Sequence, residues 1–279
     1  MNISIIGLGL IGGSMSLALR KIFPGVVVTG VDRNPAHAEE ALKLGFVDRV
    51  LEIEKSIPFA DLVIIAIPVD ATNRLLPEIL NQVTEQVVMD VGSTKKIICD
   101  TVQDHVKRSR FVATHPMWGT EHSGPSAAVN GAFVHKAAVI CNREESDTDA
   151  VLLVEDIYRK LGMHLVYMNA AEHDVHAAYI SHVSHITSFA LANTVLEKEK
   201  EDNAIFELAS GGFESTVRLA KSNPGMWEAI FKQNRENVLD VLNEHISQLR
   251  KFKTCLEKEN YEYLGELIRQ ANTIKRILK

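Results

Sequence analysis

Cysteine is scarce, and Cys99, Cys141 and Cys255 stand apart with no CxxC spacing. That excludes a disulfide framework and offers no thiolate zinc pattern, which leaves buried, reduced thiols. No block of lysine and arginine occurs, and 30 Lys+Arg against 36 Asp+Glu give a formal net charge of -6. A nucleic-acid partner is excluded on that ground, because a phosphate backbone needs a concentrated basic surface. An anionic small molecule must instead be met by a few local cations. No apolar run approaches the length of a membrane span, so no membrane association is expected. Met1-Asn2 leads straight into strand-like sequence without a charged leader, from which a cytoplasmic location is expected. Internal repeats and low-complexity tracts are also missing. What remains is a chain of 279 residues, 46% hydrophobic and 24% charged, which suits a globular protein with two cores of ordinary size.

The first half alternates short β-branched runs with helical patterns. The runs are 2–6, 26–31, 62–67, 87–91, 111–114 and 137–141, followed by a helix over 147–162 and a last strand over 164–168. Such alternation implies βαβ units and a mostly parallel, helix-covered sheet. After Met168 the composition is helical throughout: one long helix over 170–200, then helices over 203–210, 224–257 and 261–279, with Gly211-Gly212 and Asn223-Pro224-Gly225 as breaks. The expected architecture is therefore α/β, with a doubly wound sheet domain over 1–168 and an all-helical domain over 169–279. The charged run 197–202 reads as a solvated helix end rather than a binding patch.

Gly7-Leu8-Gly9-Leu10-Ile11-Gly12 follows the first strand pattern and opens a helix pattern. In such a GxGxxG turn the first glycine allows the bend, the second lets the backbone approach a pyrophosphate, and the third lets the helix lie close on the strand. The amides of the helix start and its dipole favour that anion. The second strand ends at Asp32, 20 residues past Gly12, where a carboxylate can accept hydrogen bonds from an adenosine ribose. Asp32 repels a 2′-phosphate and favours NAD, although the neighbouring Arg33 offers a charge that stabilises one.

In a doubly wound sheet, ligands gather beyond the carboxyl ends of the strands. Ile67 and Pro68 follow the third strand and line a cofactor at most through their backbone. Ser93 and Thr94 follow the next strand; they either cap a helix starting near Lys95 or lie beside a nicotinamide. His115 ends the strand 111–114, and an imidazole titrating near neutrality suits the proton acceptor that alcohol oxidation needs. Farther on, His173, His176, His182 and His185 recur at i, i+3 spacing. A metal site, substrate binding and structural hydrogen bonding all fit that spacing. No carboxylate or thiolate pattern completes a coordination set, so no metal is expected. Arg218, just beyond Gly211-Gly212, is either a surface residue or a bidentate clamp for a carboxylate.

Taken together, Gly7 to Gly12, Asp90-Val91-Gly92-Ser93-Thr94-Lys95, His115-Pro116-Met117-Trp118-Gly119-Thr120-Glu121, Ile180-Ser181-His182-Val183-Ser184-His185 and Gly212 to Lys221 followed by Asn223-Pro224-Gly225-Met226-Trp227 resemble the prephenate/arogenate dehydrogenase family nearly end to end. The resemblance implies a Rossmann-type NAD domain, a helical dimerisation domain and oxidative decarboxylation of a cyclohexadienol dicarboxylate on the route to tyrosine. It implies that His115 accepts a hydrogen bond from the ring hydroxyl, assisted by Ser93. Glu121 resembles the family's active-site acidic residue, His185 the residue facing the substrate side chain, and His182 a pocket residue. Arg218 resembles the clamp for the ring carboxylate, and Trp227 a wall near the dimer interface. Two departures stand out: Glu214-Ser215 replaces a basic-acidic pair common in the family, and Trp118 occupies a position where a small residue is common. Arogenate in place of prephenate, a related reductase and a non-catalytic dinucleotide sensor are the competing readings, and a homodimer through the helical half is expected.

Overall fold

The structure, a computed structural model, describes residues 1–199, 208 and 210–277. Eight strands form one sheet: β1 (Asn2–Ile6), β2 (Val27–Val31), β3 (Arg49–Val50), β4 (Leu62–Ile65), β5 (Val87–Asp90), β6 (Phe111–Pro116), β7 (Ala137–Cys141) and β8 (His164–Met168). Their spatial order is β3-β2-β1-β4-β5-β6-β7-β8, and every pair is parallel except β6 with β7. The central strands β1, β4 and β5 are short, mostly apolar and almost wholly buried, as parallel strands covered by helices must be. Only β3 escapes a pattern-based reading, since two residues carry no alternation.

The helices are α1 (Leu10–Ile22), α2 (Pro35–Lys43), α3 (Ile53–Ser56), α4 (Val69–Gln82), α5 (Lys96–Val102), α6 (Thr148–Lys160), α7 (Ala170–Ala177), α8 (Val183–Glu199), α9 (Gly211–Val217), α10 (Pro224–Gln233), α11 (Arg235–Glu257) and α12 (Tyr261–Ala271). One face of the sheet packs Met15, Leu19, Val154, Ile157 and Tyr158 from α1 and α6. The other packs Leu76, Ile79, Ile98, Trp227 and Ile230 from α4, α5 and α10. Asparagine side chains start several helices: Asn34, Asn169 and Asn223 accept from amides of the first turn of α2, α7 and α10.

Three expectations change. The helix over 170–200 is not uniform, because Ala178–His182 forms a π turn between α7 and α8. The stretch 224–257 breaks at Asn234 into α10 and α11, and the last helix gives way to a 3-10 turn over Asn272–Arg276. The helix expected over 203–210 falls almost wholly outside the described residues. By packing, the chain divides into compact units Met1–Asn234 and Arg235–Lys279, so α7 to α10 fall in the same unit as the sheet.

Sheet register fixes where loops emerge. Ile6 is level with Val31 and Ile65, Ile65 with Asp90, and Asp90 with Ala113. The glycine turn, Asp32, Ile67, Ser93 and His115 therefore all leave the same carboxyl edge.

Candidate active site

At that edge Gly7 adopts a positive φ of 97°, and a Cβ there would lie 2.4 Å from the carbonyl oxygen of Ala66. A Cβ on Gly12 would meet the Gly7 carbonyl oxygen at 1.9 Å, so only glycine lets α1 start this close to β1. A Cβ on Gly9 would meet nothing within 4 Å, and Gly9 precedes α1 without any side-chain cap. The first amides of α1, including those of Leu10 and Ile11, are thus left for an outside acceptor, with no acidic residue in the first turn to compete. Asp32 braces the turn: its Oδ2 accepts from the Leu8 amide (2.9 Å) and its Oδ1 from the Asn34 amide (2.8 Å). Arg33 and Pro68 are exposed, and Ile67 is half-buried beside the turn. These features fit a dinucleotide.

His115 lies at the end of β6, half-buried, with Nδ1 2.8 Å from Nε2 of His173 in α7. His173 in turn places Nδ1 2.8 Å from Oδ1 of Asp174, and both residues are buried. The same carboxylate accepts from the backbone amides of Lys95 (2.8 Å) and Lys96 (3.0 Å), which begin α5. Asp174 therefore caps α5, and neither Ser93 nor Thr94 does; the Thr94 hydroxyl donates to Gln233 Oε1 (2.6 Å) instead. Beneath His115, Lys95 and Asp90 form a fully buried ion pair, and Lys95 Nζ also donates to the Thr114 carbonyl (2.7 Å). Burial first, then the charges of His173, Lys95 and His182, hold the His115 imidazole well below its ordinary range, so it is neutral at pH 7.

Asn234 joins the next pair of histidines to this chain. Its amide donates to the Asp174 carbonyl (2.7 Å) and lies 3.2 Å from His182 Nδ1. His182 meets Trp227 edge-on, while His185 stacks on the same indole at 3.5 Å between centroids. The Trp227 Nε1–H is buried without a hydrogen-bond partner among the described residues. Burial pushes His182 down to about 4. His185 is lowered by burial and by Arg218, against a hydrogen bond to the Ser181 carbonyl. Arg218 pairs with Glu121 Oε2 at 2.6 Å, joining the loop after β6 to the segment after α9.

Of the residues singled out in the sequence, His115, His182 and His185 fall on one connected set of contacts, Arg218 and Glu121 form a separate ion pair whose arginine acts on His185 through its charge, and Ser93 lies two residues before Lys95. Trp118 packs edge-on against Phe133 in the core. His176 is exposed. Sequence reasoning missed Asp174 and Asn234 altogether and saw His173 only as part of a spacing. The one available signal was the adjacent pair His173-Asp174.

Two family models cover most of the chain: the prephenate dehydrogenase nucleotide-binding domain matches residues 15–167, and the prephenate dehydrogenase dimerization domain matches residues 169–270. The first match begins after the glycine turn, whose assignment stands on its geometry. The chain is 35% identical to the prephenate dehydrogenase of Bacillus subtilis over 275 residues, 97% of this chain and 74% of the relative. It is 29% identical to the cyclohexadienyl dehydrogenase of Zymomonas mobilis, covering 100% of this chain and 96% of that one. Among solved structures, the prephenate dehydrogenase from A. aeolicus in complex with hydroxyphenyl propionate and NAD+ superposes with a TM-score of 0.87 at 28% identity, covering 100% of this chain and 98% of the other.

Proposed function

The chain belongs to the prephenate dehydrogenase family, and from that premise we propose that it converts prephenate to 4-hydroxyphenylpyruvate by oxidative decarboxylation with NAD. The observation that carries the proposal is His115, set on the nucleotide-binding edge with Nδ1 tied to His173 and Nε2 left for a substrate. Gly7 to Gly12 with Leu10 and Ile11 would hold the pyrophosphate, Asp32 the adenosine ribose, and Ile67 and Pro68 would line the cofactor. The A. aeolicus relative's complex with NAD+ supports that choice. NAD, when bound, supplies the hydride acceptor.

His115 accepts the proton of the ring hydroxyl as the carbinol carbon is oxidised, with Ser93 assisting at the same oxygen. The resulting dienone accepts the electron pair of the carbon–carboxylate bond, carbon dioxide leaves, the ring becomes aromatic, and the proton held on His115 returns to the phenolic oxygen. Much of the driving force lies in the substrate, and the protein's share is alignment, exclusion of water and charge neutralisation, worth on the order of 7–11 kcal/mol at best. Arg218 binds the ring carboxylate, exchanging it for Glu121, while His182 and His185 shape the pocket. Replacing Arg218 should raise KM more than it lowers kcat. The unit Arg235–Lys279 exposes Leu239, Leu249, Leu256 and Ile268, apolar surface that suits a homodimer formed through the helical half.

An absorbance assay of NADH formation, with prephenate or arogenate paired with NAD or NADP, tests the proposal. Turnover of prephenate with NAD is expected. Turnover of arogenate alone would keep the mechanism and replace the substrate, and silence with all four pairings would overturn the assignment in favour of a dinucleotide sensor.

A further inference from the structure

A general base must present a lone pair, and a neutral imidazole has only one. Which nitrogen carries it depends on what the other nitrogen meets. At this site three groups in series settle the matter. Asp174, a buried carboxylate, can only accept; it takes the Lys95 and Lys96 amides and leaves His173 Nδ1 as a further donor at 2.8 Å. With its proton donated from Nδ1 to Asp174, His173 presents the lone pair of Nε2. That atom stands 2.8 Å from His115 Nδ1, which must then be the donor. The proton of His115 is thereby held on Nδ1 and its lone pair on Nε2. Among the described residues no protein group hydrogen-bonds to Nε2.

We propose that His173 and Asp174 are positioning residues of the reaction, a relay of two hydrogen bonds that fixes His115 in the tautomer able to take a proton from substrate. The assignment rests on His115 as the base. It also explains why an aspartate rather than Ser93 or Thr94 caps α5: one carboxylate sets both the start of the helix behind the Ser93 loop and the protonation pattern of the base. In the relay Asp174 only accepts hydrogen bonds and His173 never touches substrate; no covalent bond changes outside His115, the substrate and the hydride acceptor.

The test uses the full-length protein with prephenate and NAD. His173→Phe removes the acceptor while keeping a ring of similar size, and His173→Gln restores an acceptor carbonyl. The phenylalanine variant is expected to lose roughly 10- to 100-fold in kcat with KM within about threefold, and the glutamine variant to recover most of that loss. Asp174→Ala removes the acceptor that holds the proton on His173 Nδ1, so neither histidine is fixed in one tautomer and a loss of at least about tenfold in kcat is expected. Long-range proton–nitrogen NMR of histidine-labelled wild-type protein reads the tautomer directly and needs no variant; it should find His115 protonated at Nδ1. An Nε2–H tautomer would overturn the relay. So would a His173→Phe enzyme of unchanged kcat beside an inactive His115→Asn control. If His115→Asn itself keeps full kcat, the base assignment fails first and takes the relay with it.

Discussion

Asp32, which in the proposed function reads the ribose, follows β2 with a carboxylate that already spans the Leu8 and Asn34 amides and cannot rotate away without losing both. A 2′-phosphate at that position would face a fixed negative charge, with the exposed Arg33 next in sequence and His37 Nδ1 3.8 Å from the carboxylate. Asp32→Ser keeps a hydrogen-bonding oxygen and removes the charge. Its expected effect is a fall in the ratio of kcat/KM for NAD over NADP by roughly 10-fold or more, about 1.4 kcal/mol or above. Steady-state kinetics with both cofactors would measure it, and an unchanged ratio would show that Asp32 does not discriminate. The positions of Asp32 and His115 were legible because each falls at a strand end, and strand ends can be read from β-branched runs. The Asp174 relay was not, since its meaning depends on two helices and a strand end meeting in space.

At the scale of elements, the π turn Ala178–His182 decides what the histidines face. His173 and His185 are 12 positions apart, which in a regular α-helix would leave them about 120° apart around the axis. One extra residue absorbed by a π turn reduces that to about 20°, which brings His185 round to the side of His173 and Asp174. Ile180, exposed on the outer side of the turn, is the residue to delete. Removing it should restore α geometry, swing His185 away from the Trp227 indole it stacks on, and cost more than about 100-fold in kcat/KM while NAD binding to the glycine turn persists. A deletion variant with full turnover would mean the turn serves packing alone. Nothing in the sequence marks this turn, since π insertions leave no glycine or proline. The break at Asn234 was hidden for a related reason: an asparagine inside an apolar periodicity looks tolerated, whereas here its side chain is committed to the Asp174 carbonyl and His182. The strands, by contrast, follow from local composition, and all but the two-residue β3 could be read from it.

Across the whole molecule, the same burial that keeps these histidines neutral makes stability depend on pH. His182 has a folded pKa of about 4 against an ordinary 6.5, and His115 is lowered in the same direction. Between those values the unfolded chain binds more protons than the folded one, so acid favours unfolding. Above about pH 6.5 the contribution is fully present; it declines as pH falls toward 4 and then levels off. For His182 alone the shift corresponds to about 3 kcal/mol over that window, or about 1.4 kcal/mol for each pH unit inside it. Carboxylates whose folded values are lowered, such as Asp48 and Glu121, act in the same sense but below their own ordinary values, so their loss comes at lower pH. Urea denaturation at pH 7, 6 and about 5 should therefore show stability falling before carboxylates titrate, and His182→Gln should reduce the slope by about 1.4 kcal/mol per unit whatever it does to stability at pH 7. An unaltered slope in that variant would mean that His182 is protonated in the folded protein. The Asn234 contact to Nδ1 would then have to be remade, because an amide NH₂ and a protonated ring nitrogen cannot both donate to each other.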